Sequence, residues 1–194
     1  RVNGLEHNPE GESLNYNVFF QVLNSKDFNV PQNRERVFII GFKNHDINFR
    51  FPKIKSSDLS ILDILENNPI KKELSKLSKS HVLRHLKERK DYLQIKDLEH
   101  LIAFEIRKSR TSFRYDGLSP CLTTKMGTGG NNVPYLVNKN RCLTIRELLR
   151  IQGFPDSFKI TDSYNNALMQ IGNSVSVPVI SKIITEIKTS MNLA

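Results

Sequence analysis

The 194-residue chain has no tryptophan, two cysteines and three methionines. Cys121 and Cys142 have no metal-binding spacing and are too few for a disulfide framework; a reducing cytosol suits them. Of the five histidines only His81 and His85 stand four apart, and with no third ligand beside them no zinc site is expected. No apolar run approaches the roughly 18 residues of a membrane span. No signal peptide is visible, and Arg1 is not a natural first residue. The glycine-rich stretch near residue 127 lacks a Gly-Lys-Ser/Thr ending and a following helix, which excludes a phosphate-binding loop. No internal repeat occurs.

What the chain does have is a basic excess: 29 Lys and Arg against 20 Asp and Glu, a net charge of +9. Two readings follow. One is an anionic partner, nucleic acid first, because phosphate neutralisation drives such binding. The other is a lysine-rich solubilising surface. With 38% hydrophobic and 25% charged residues, the chain should fold, as one ordinary domain or two small ones.

Residues 16–24 are rich in β-branched and aromatic types and read as a strand. Residues 36–42 read as a second strand, apolar on both faces as a central strand would be. Asp27, Asn29 and Pro31 mark the loop between them, which puts Gln32, Arg34 and Arg36 at a strand mouth. Ser57 or Asp58 could cap a short helix carrying Leu59, Leu62 and Leu65 on one face. Residues 71–100 are lysine-rich and mainly helical in character. Arg110, Arg114 and Lys125 surround a small-residue loop, and a strand follows at 133–137.

Thr144 and Glu147 form a Thr-x-x-Glu capping box before Ile145, Leu148 and Leu149; Gly153 and Pro155 should stop that helix. A short helix near 164–171 should end at Gly172. The last helix should begin at Pro178, with Val177, Ile180, Ile183, Ile184 and Ile187 as its apolar stripe.

Three segments in fixed order carry a family resemblance. They are Pro31-Gln32-Asn33-Arg34-Glu35-Arg36 running into Val37-Phe38-Ile39-Ile40-Gly41-Phe42; Leu143-Thr144-Ile145-Arg146-Glu147 running into Ile151-Gln152-Gly153-Phe154-Pro155-Asp156; and Gln170-Ile171-Gly172-Asn173-Ser174-Val175. Together they resemble the last three signature blocks of DNA (cytosine-5) methyltransferases. Arg1-Val2-Asn3-Gly4-Leu5 resembles the end of an earlier block. There, Arg1 stands where asparagine is usual, and the stretch from Asn8 to Asn15 is short for the family.

The resemblance implies an α/β fold: part of a doubly wound S-adenosylmethionine-dependent methyltransferase domain plus a smaller target-recognition domain. Residues 1–50 would end the catalytic domain, 51–160 would form the recognition domain, and 161–194 would return to complete the catalytic domain. Arg36 would stabilise charge near O2 of a flipped cytosine, with Arg34 and Gln32 lining the pocket. Asn173, Ser174 and Val175 would complete the S-adenosylmethionine site. Arg146, Glu147 and Arg150 would be packing and ion-pair residues.

Recognition of double-stranded DNA would fall to residues 110–132, with Arg110, Arg114, Thr123, Thr124, Lys125 and Asn131 as candidates. Most such contacts in any complex go to phosphate and sugar. Pro120-Cys121 resembles the family's Pro-Cys nucleophile dipeptide. However, Leu122 follows where glutamine is expected, and the segment lies where the recognition region belongs, so Cys121 is not assigned that role.

The expected whole is therefore the carboxy-terminal part of a bacterial, cytoplasmic, restriction–modification methyltransferase, inactive without an amino-terminal half that carries the nucleophile. The alternatives are a non-catalytic DNA-binding module and the small subunit of a split enzyme.

Overall fold

The computed structural model describes residues 15–53, 58–128, 133–160 and 162–192. Strands β1 (Asn17–Asn24) and β2 (Glu35–Phe42) form an antiparallel hairpin in continuous register, from Asn17 opposite Phe42 to Asn24 opposite Glu35. The connection opens on a 3-10 turn, Ser25–Phe28, because the Asn24 side chain accepts a hydrogen bond from the Lys26 amide. Asn29 ends that turn at φ 62°, a left-handed conformation that asparagine tolerates.

Period-two alternation gives the hairpin two different faces. Leu23, Phe38 and Ile40 pack with Phe28 against Val179 and Ile183 of the last helix. Val22, Val37 and Ile39, on the other face, are 55%, 59% and 68% exposed. β2 is therefore not a central strand among the described residues: it pairs only with β1, and its apolar second face is uncovered.

Beyond the hairpin, a 3-10 turn at Ile61–Ile64 is capped by Ser60, with Asp63 completing a capping box. The cap thus falls neither at Ser57, which lies outside the described residues, nor at Asp58. The lysine-rich stretch yields α1 (Lys76–Lys87) and the short α2 (Tyr92–Ile95). Val82 and Leu86 face inward while Leu83 is 54% exposed, which explains the imperfect apolar spacing there.

Four short strands follow: β3 (Ile102–Phe104), β4 (Ser112–Arg114), β5 (Tyr135–Leu136) and β6 (Arg141–Cys142). They form an antiparallel sheet in the order β4-β3-β5-β6. β5 is shorter than the expected 133–137; Pro134 has no amide proton to donate to a ladder.

Helix α3 (Ile145–Ile151) opens on the expected capping box, with the Thr144 and Glu147 side chains each accepting from the other's amide. Gly153, at φ 80°, turns the chain out of it. A methyl group at Gly153 would lie 2.3 Å from Cδ of Pro178, so glycine is required by contact as well as by conformation.

Helix α4 (Tyr164–Asn173) runs through Gly172 rather than ending at it. Ser174 to Ser176 then take an extended course before α5 (Val177–Ser190), whose first turn holds Pro178. The stripe that α5 buries is centred on Val179 and Ile183, while Ile184 is 49% exposed. Taken as one continuous element, residues 164–190 would be long enough to cross a bilayer, and their most apolar 18-residue window has a mean hydropathy of 1.3. They are instead two helices separated by the extended segment, and each inserts residues into a protein core.

The main core joins the turn, sheet and helices through Ile61, Ile102, Leu122, Leu136, Leu148 and Leu168. Burial of each such side chain stabilises by roughly 1.5–3 kcal/mol before entropy is counted. Leu122 and Leu168 anchor the two chain segments that meet Arg34.

Candidate functional site

Gln32, Arg34 and Arg36 alternate along the entry to β2, yet they occupy different environments. Gln32 is fully buried, Arg34 is 7% exposed, and Arg36 is exposed. The entry segment lies beside residues 119–122. The Ser119 amide donates to the Pro31 carbonyl at 2.6 Å, and the Asn33 amide donates to the Ser119 carbonyl at 3.1 Å. This short parallel bridge sets the positions of the three side chains.

Arg34 reaches into a junction of three chain segments. Its Nη1 donates to the Leu122 carbonyl at 2.6 Å, and its Nη2 to the carbonyls of Gly172 at 3.2 Å and Ser174 at 3.1 Å. Hydrogen bonds from a charged donor are the stronger class, and here they offset removal of the guanidinium from water.

Gln32 builds a second connection. Its Oε1 accepts from the Leu122 amide at 3.3 Å, and its Nε2 donates to the Ile151 carbonyl and to Gln152 Oε1, both at 3.2 Å. Gln152 is also fully buried; its Nε2 donates to the Ile171 carbonyl at 2.9 Å, and its carbonyl accepts from the Val177 amide at 2.9 Å. Sequence reasoning gave Gln152 no role. The available signal was a glutamine at the end of an apolar helix, where a polar side chain facing a core needs partners.

Arg36 points outward. Its Nη1 donates to the Glu35 carbonyl at 2.6 Å, and its Nη2 lies 3.4 Å from Cys121 Sγ. Arg34 Nη1 is 3.3 Å from the same sulfur. Cys121 therefore sits between the two arginines, half-buried, at the edge of a cavity of about 230 Å³ that Glu105, Thr123 and Met126 also line. A larger hollow of about 510 Å³, lined by Leu62, Glu66, Lys71 and Arg141 among others, contains none of the expected site residues.

The loop after Leu122 presents Thr123, Thr124 and Lys125 to solvent, while Met126 is buried and pins it down. The Lys125 carbonyl accepts from both the amide and the hydroxyl of Thr128, closing a tight turn. Asn131 lies outside the described residues.

The two arginine candidates differ. Arg110 is exposed and meets Glu105 at 3.0 Å. Arg114 is held bidentately by Asp116 at 2.8 and 2.7 Å. Partial burial would raise the Asp116 pKa, but the bonds from Arg114 and from the Leu118 amide outweigh it and hold the carboxylate below its ordinary range. The charge of Arg114 is thus already matched locally.

At the end of α4, Asn173 is exposed, and its side chain has no hydrogen-bond partner among the described residues. Val175 is 48% exposed, and the Ser174 hydroxyl donates back to the Ile171 carbonyl at 2.7 Å. An unspent amide beside an exposed apolar side chain fits one wall of a site for a molecule that is part polar and part apolar.

The helix block forms a buried frame. Glu147 is fully buried and receives Arg141 Nη1 and Nη2 at 2.8 and 2.7 Å, together with the amides of Thr144 and Glu66, both at 2.9 Å. Burial pushes the Glu147 pKa up, but these bonds outweigh it and the net shift is downward. Arg150 pairs with Asp156 and also donates to the Ile64 carbonyl at 2.9 Å. Arg146 donates to the Phe158 carbonyl at 2.8 Å. Arg141 is the member that the sequence did not single out. Next to it, burial raises the thiol of Cys142 to about 11.

The likeness to known proteins covers the whole of this arrangement. The Type II methyltransferase M.Bsp6I of Bacillus sp. (strain RFL6) is 36% identical over 93% of the chain, which corresponds to 58% of that protein. M.NlaX of Neisseria lactamica is 37% identical, and M.HhaI of Haemophilus parahaemolyticus 32%, each with 55% of its length matched. The chain thus spans little more than half the length of these relatives. Among solved structures, S. pombe Dnmt2 methyltransferase superposes on 92% of the chain with a TM-score of 0.62 at 20% identity. A putative DNA modification methyltransferase encoded within a prophage of E. coli gives 0.57 at 21% identity. At those identities the likeness is one of fold, mixed α/β in each case. The family model for C-5 cytosine-specific DNA methylase matches residues 9–189, and the chain belongs to that family.

Proposed function

We propose that the chain is the carboxy-terminal part of a bacterial DNA (cytosine-5) methyltransferase of a restriction–modification system. It would work in the cytoplasm on double-stranded DNA. The observation that carries the reading is the meeting at Arg34 of the Gln32–Arg36 segment, Leu122 at the root of the exposed loop 123–125, and the segment 172–174. A cytosine-modifying site needs a charge stabiliser, a DNA-facing loop and a donor pocket close together, and those three segments bear the corresponding residue types.

In this reading Arg36 is the catalytic member. Cytosine C5 is a poor nucleophile until a thiolate adds at C6, and the charge that then develops on the ring is met by a cation near O2. The Arg36 guanidinium is exposed and steadied by the Glu35 carbonyl, so it can approach a base extruded from the duplex. Arg34 and Gln32 hold the backbone around the pocket rather than facing open solvent.

S-adenosylmethionine supplies the methyl group, and Asn173, Ser174 and Val175 would form one wall of its site. Thr123, Thr124, Lys125, Arg110 and Asn131 are the proposed DNA contacts, with Arg114 the weakest candidate because Asp116 engages it. The hairpin shares a core with α5, which supports grouping residues 1–50 with the α5 part of 161–194 in a catalytic domain, with 51–160 as the recognition part; α4 packs instead into the main core.

The nucleophile and the main donor site would come from an amino-terminal half, whether in the same polypeptide or as a separate subunit. The exposed apolar face of the hairpin favours such a partner. The test is complementation: this chain alone, the amino-terminal half alone and the mixture are assayed for transfer of labelled methyl to DNA. Activity is expected only in the mixture, and Arg36→Ala should abolish it while DNA binding persists. Methyl transfer by this chain alone would refute the division of labour, and an inactive mixture that still binds DNA would favour a non-catalytic DNA-binding module.

A further inference from the structure

We propose that Arg34 is a positioning residue that couples binding at the DNA-facing loop to binding at the cofactor-facing segment. This inference rests on the function proposed above. The two segments are distant in sequence, yet they are joined through the two peptide groups of one residue, Leu122, by way of Arg34 and Gln32.

Leu122 immediately precedes the exposed loop, and its peptide groups are held on both sides. Its carbonyl accepts from Arg34 Nη1 at 2.6 Å, and its amide donates to Gln32 Oε1 at 3.3 Å. Each link continues to the end of α4. Arg34 Nη2 donates to the carbonyls of Gly172 and Ser174, which bracket Asn173. Gln32 passes through Gln152 to the Ile171 carbonyl. Two chains of hydrogen bonds therefore run from one residue at the loop root to one four-residue segment.

The geometry leaves little slack. A guanidinium is a rigid planar fork, so its two terminal nitrogens cannot adjust independently. Packing adds to this, since the α-carbon of Gly172 lies so close to the loop that an added Cβ would sit 2.3 Å from the carbonyl carbon and oxygen of Thr123. A shift of Thr123 to Lys125 upon DNA contact displaces the Leu122 carbonyl, which moves the fork and so moves the carbonyls on either side of Asn173. Coupling between two sites is reciprocal in free energy, so a ligand on the 173–175 wall must bias the loop equally.

The measurement is a ratio of affinities in the complete enzyme, with the amino-terminal half present. Calorimetry gives the Kd of S-adenosylhomocysteine, an unreactive probe, with and without a duplex carrying the methylation site mapped by bisulfite sequencing. In the parent enzyme the duplex is expected to tighten S-adenosylhomocysteine binding by about fivefold or more. Arg34→Lys, which keeps the charge but loses the fork, should bring that ratio close to one.

Gln152→Met cuts the second chain and should lower the ratio in the same direction; it carries the test if Arg34→Lys does not fold. A purely structural role would weaken both affinities and leave the ratio unchanged. A parent ratio of one, or a folded variant that keeps the parent ratio, overturns the coupling. A parent enzyme that binds neither probe overturns the functional reading, and this inference with it.

Discussion

Gly172 and Thr123 touch backbone to backbone. A methyl group on Gly172 would lie 2.3 Å from both the carbonyl carbon and oxygen of Thr123, and 2.5 Å from the Thr124 amide nitrogen. The glycine is helical rather than left-handed, and α4 continues past it to Asn173. Its role is therefore not to end a helix but to let α4 lie against the root of the exposed loop.

Gly172→Ala follows directly from this contact. The backbone it strikes cannot rotate away as a side chain would, so either α4 or the loop must shift. Overpacking of this kind costs about 1–3 kcal/mol, and more where backbone must move. The variant should melt at lower temperature than the parent in a calorimetric scan. An equal or higher melting temperature would mean that the close approach is not maintained in solution.

Glu147 should be intolerant of neutralisation. It and Arg141 are buried with side-chain exposures of 0% and 3%, so Glu147→Gln strands a guanidinium away from water. Breaking a buried pair from one side costs about 3–5 kcal/mol. Arg141→Met combined with Glu147→Leu should recover only part of that loss, because the amides of Thr144 and Glu66 lose their acceptor as well. Urea titrations of the two variants test the order; a double variant as stable as the parent would show that the carboxylate's caps contribute nothing.

The same carboxylate should make stability fall in acid. Its pKa in the folded protein lies below the ordinary 4.5, so the folded state favours the charged form. The stabilisation is fully present above the unfolded value and is lost as pH falls from about 4.5 through the lower folded value. Unfolding free energies measured downward from neutral pH should decline in that window, and the decline should be shallower in Glu147→Gln. Identical acid limbs would place the responsible group elsewhere.

Local signals in the sequence carried local structure well. The Thr144–Glu147 box, the Pro178 first turn and the hairpin strands all depend on neighbours within a few residues, and each occurs within a residue or two of its expected position. The junction around Arg34 was not legible. Its bonds join residues 88 to 140 positions apart, and nothing near Arg34 distinguishes a buried fork from an exposed one. Gly172 was misread for the same reason: a glycine near a helix end suggests a stop, and only the opposing Thr123 backbone reveals a close approach. At β2 a run apolar on both faces suggests a central strand, whereas among the described residues it pairs only with β1 and leaves one apolar face bare.

That bare face gives the last prediction. Val22 and Val37 are cross-strand partners, as are Phe20 and Ile39, and all four side chains point to the same exposed side of the hairpin. Exposed apolar strands with unpaired edges associate readily. If the amino-terminal half of the proposed enzyme covers this face, Ile39→Lys should impair complementation, because a desolvated lysine without a partner is costly in an interface. The substitution lies away from the core that the hairpin shares with α5, so the chain itself should stay folded and become less prone to self-association. Size-exclusion chromatography of the isolated chain and methyl-transfer titration against the amino-terminal half separate the two effects. A variant that complements as well as the parent would mean that the amino-terminal half docks elsewhere, and that the hairpin face has another occupant or none.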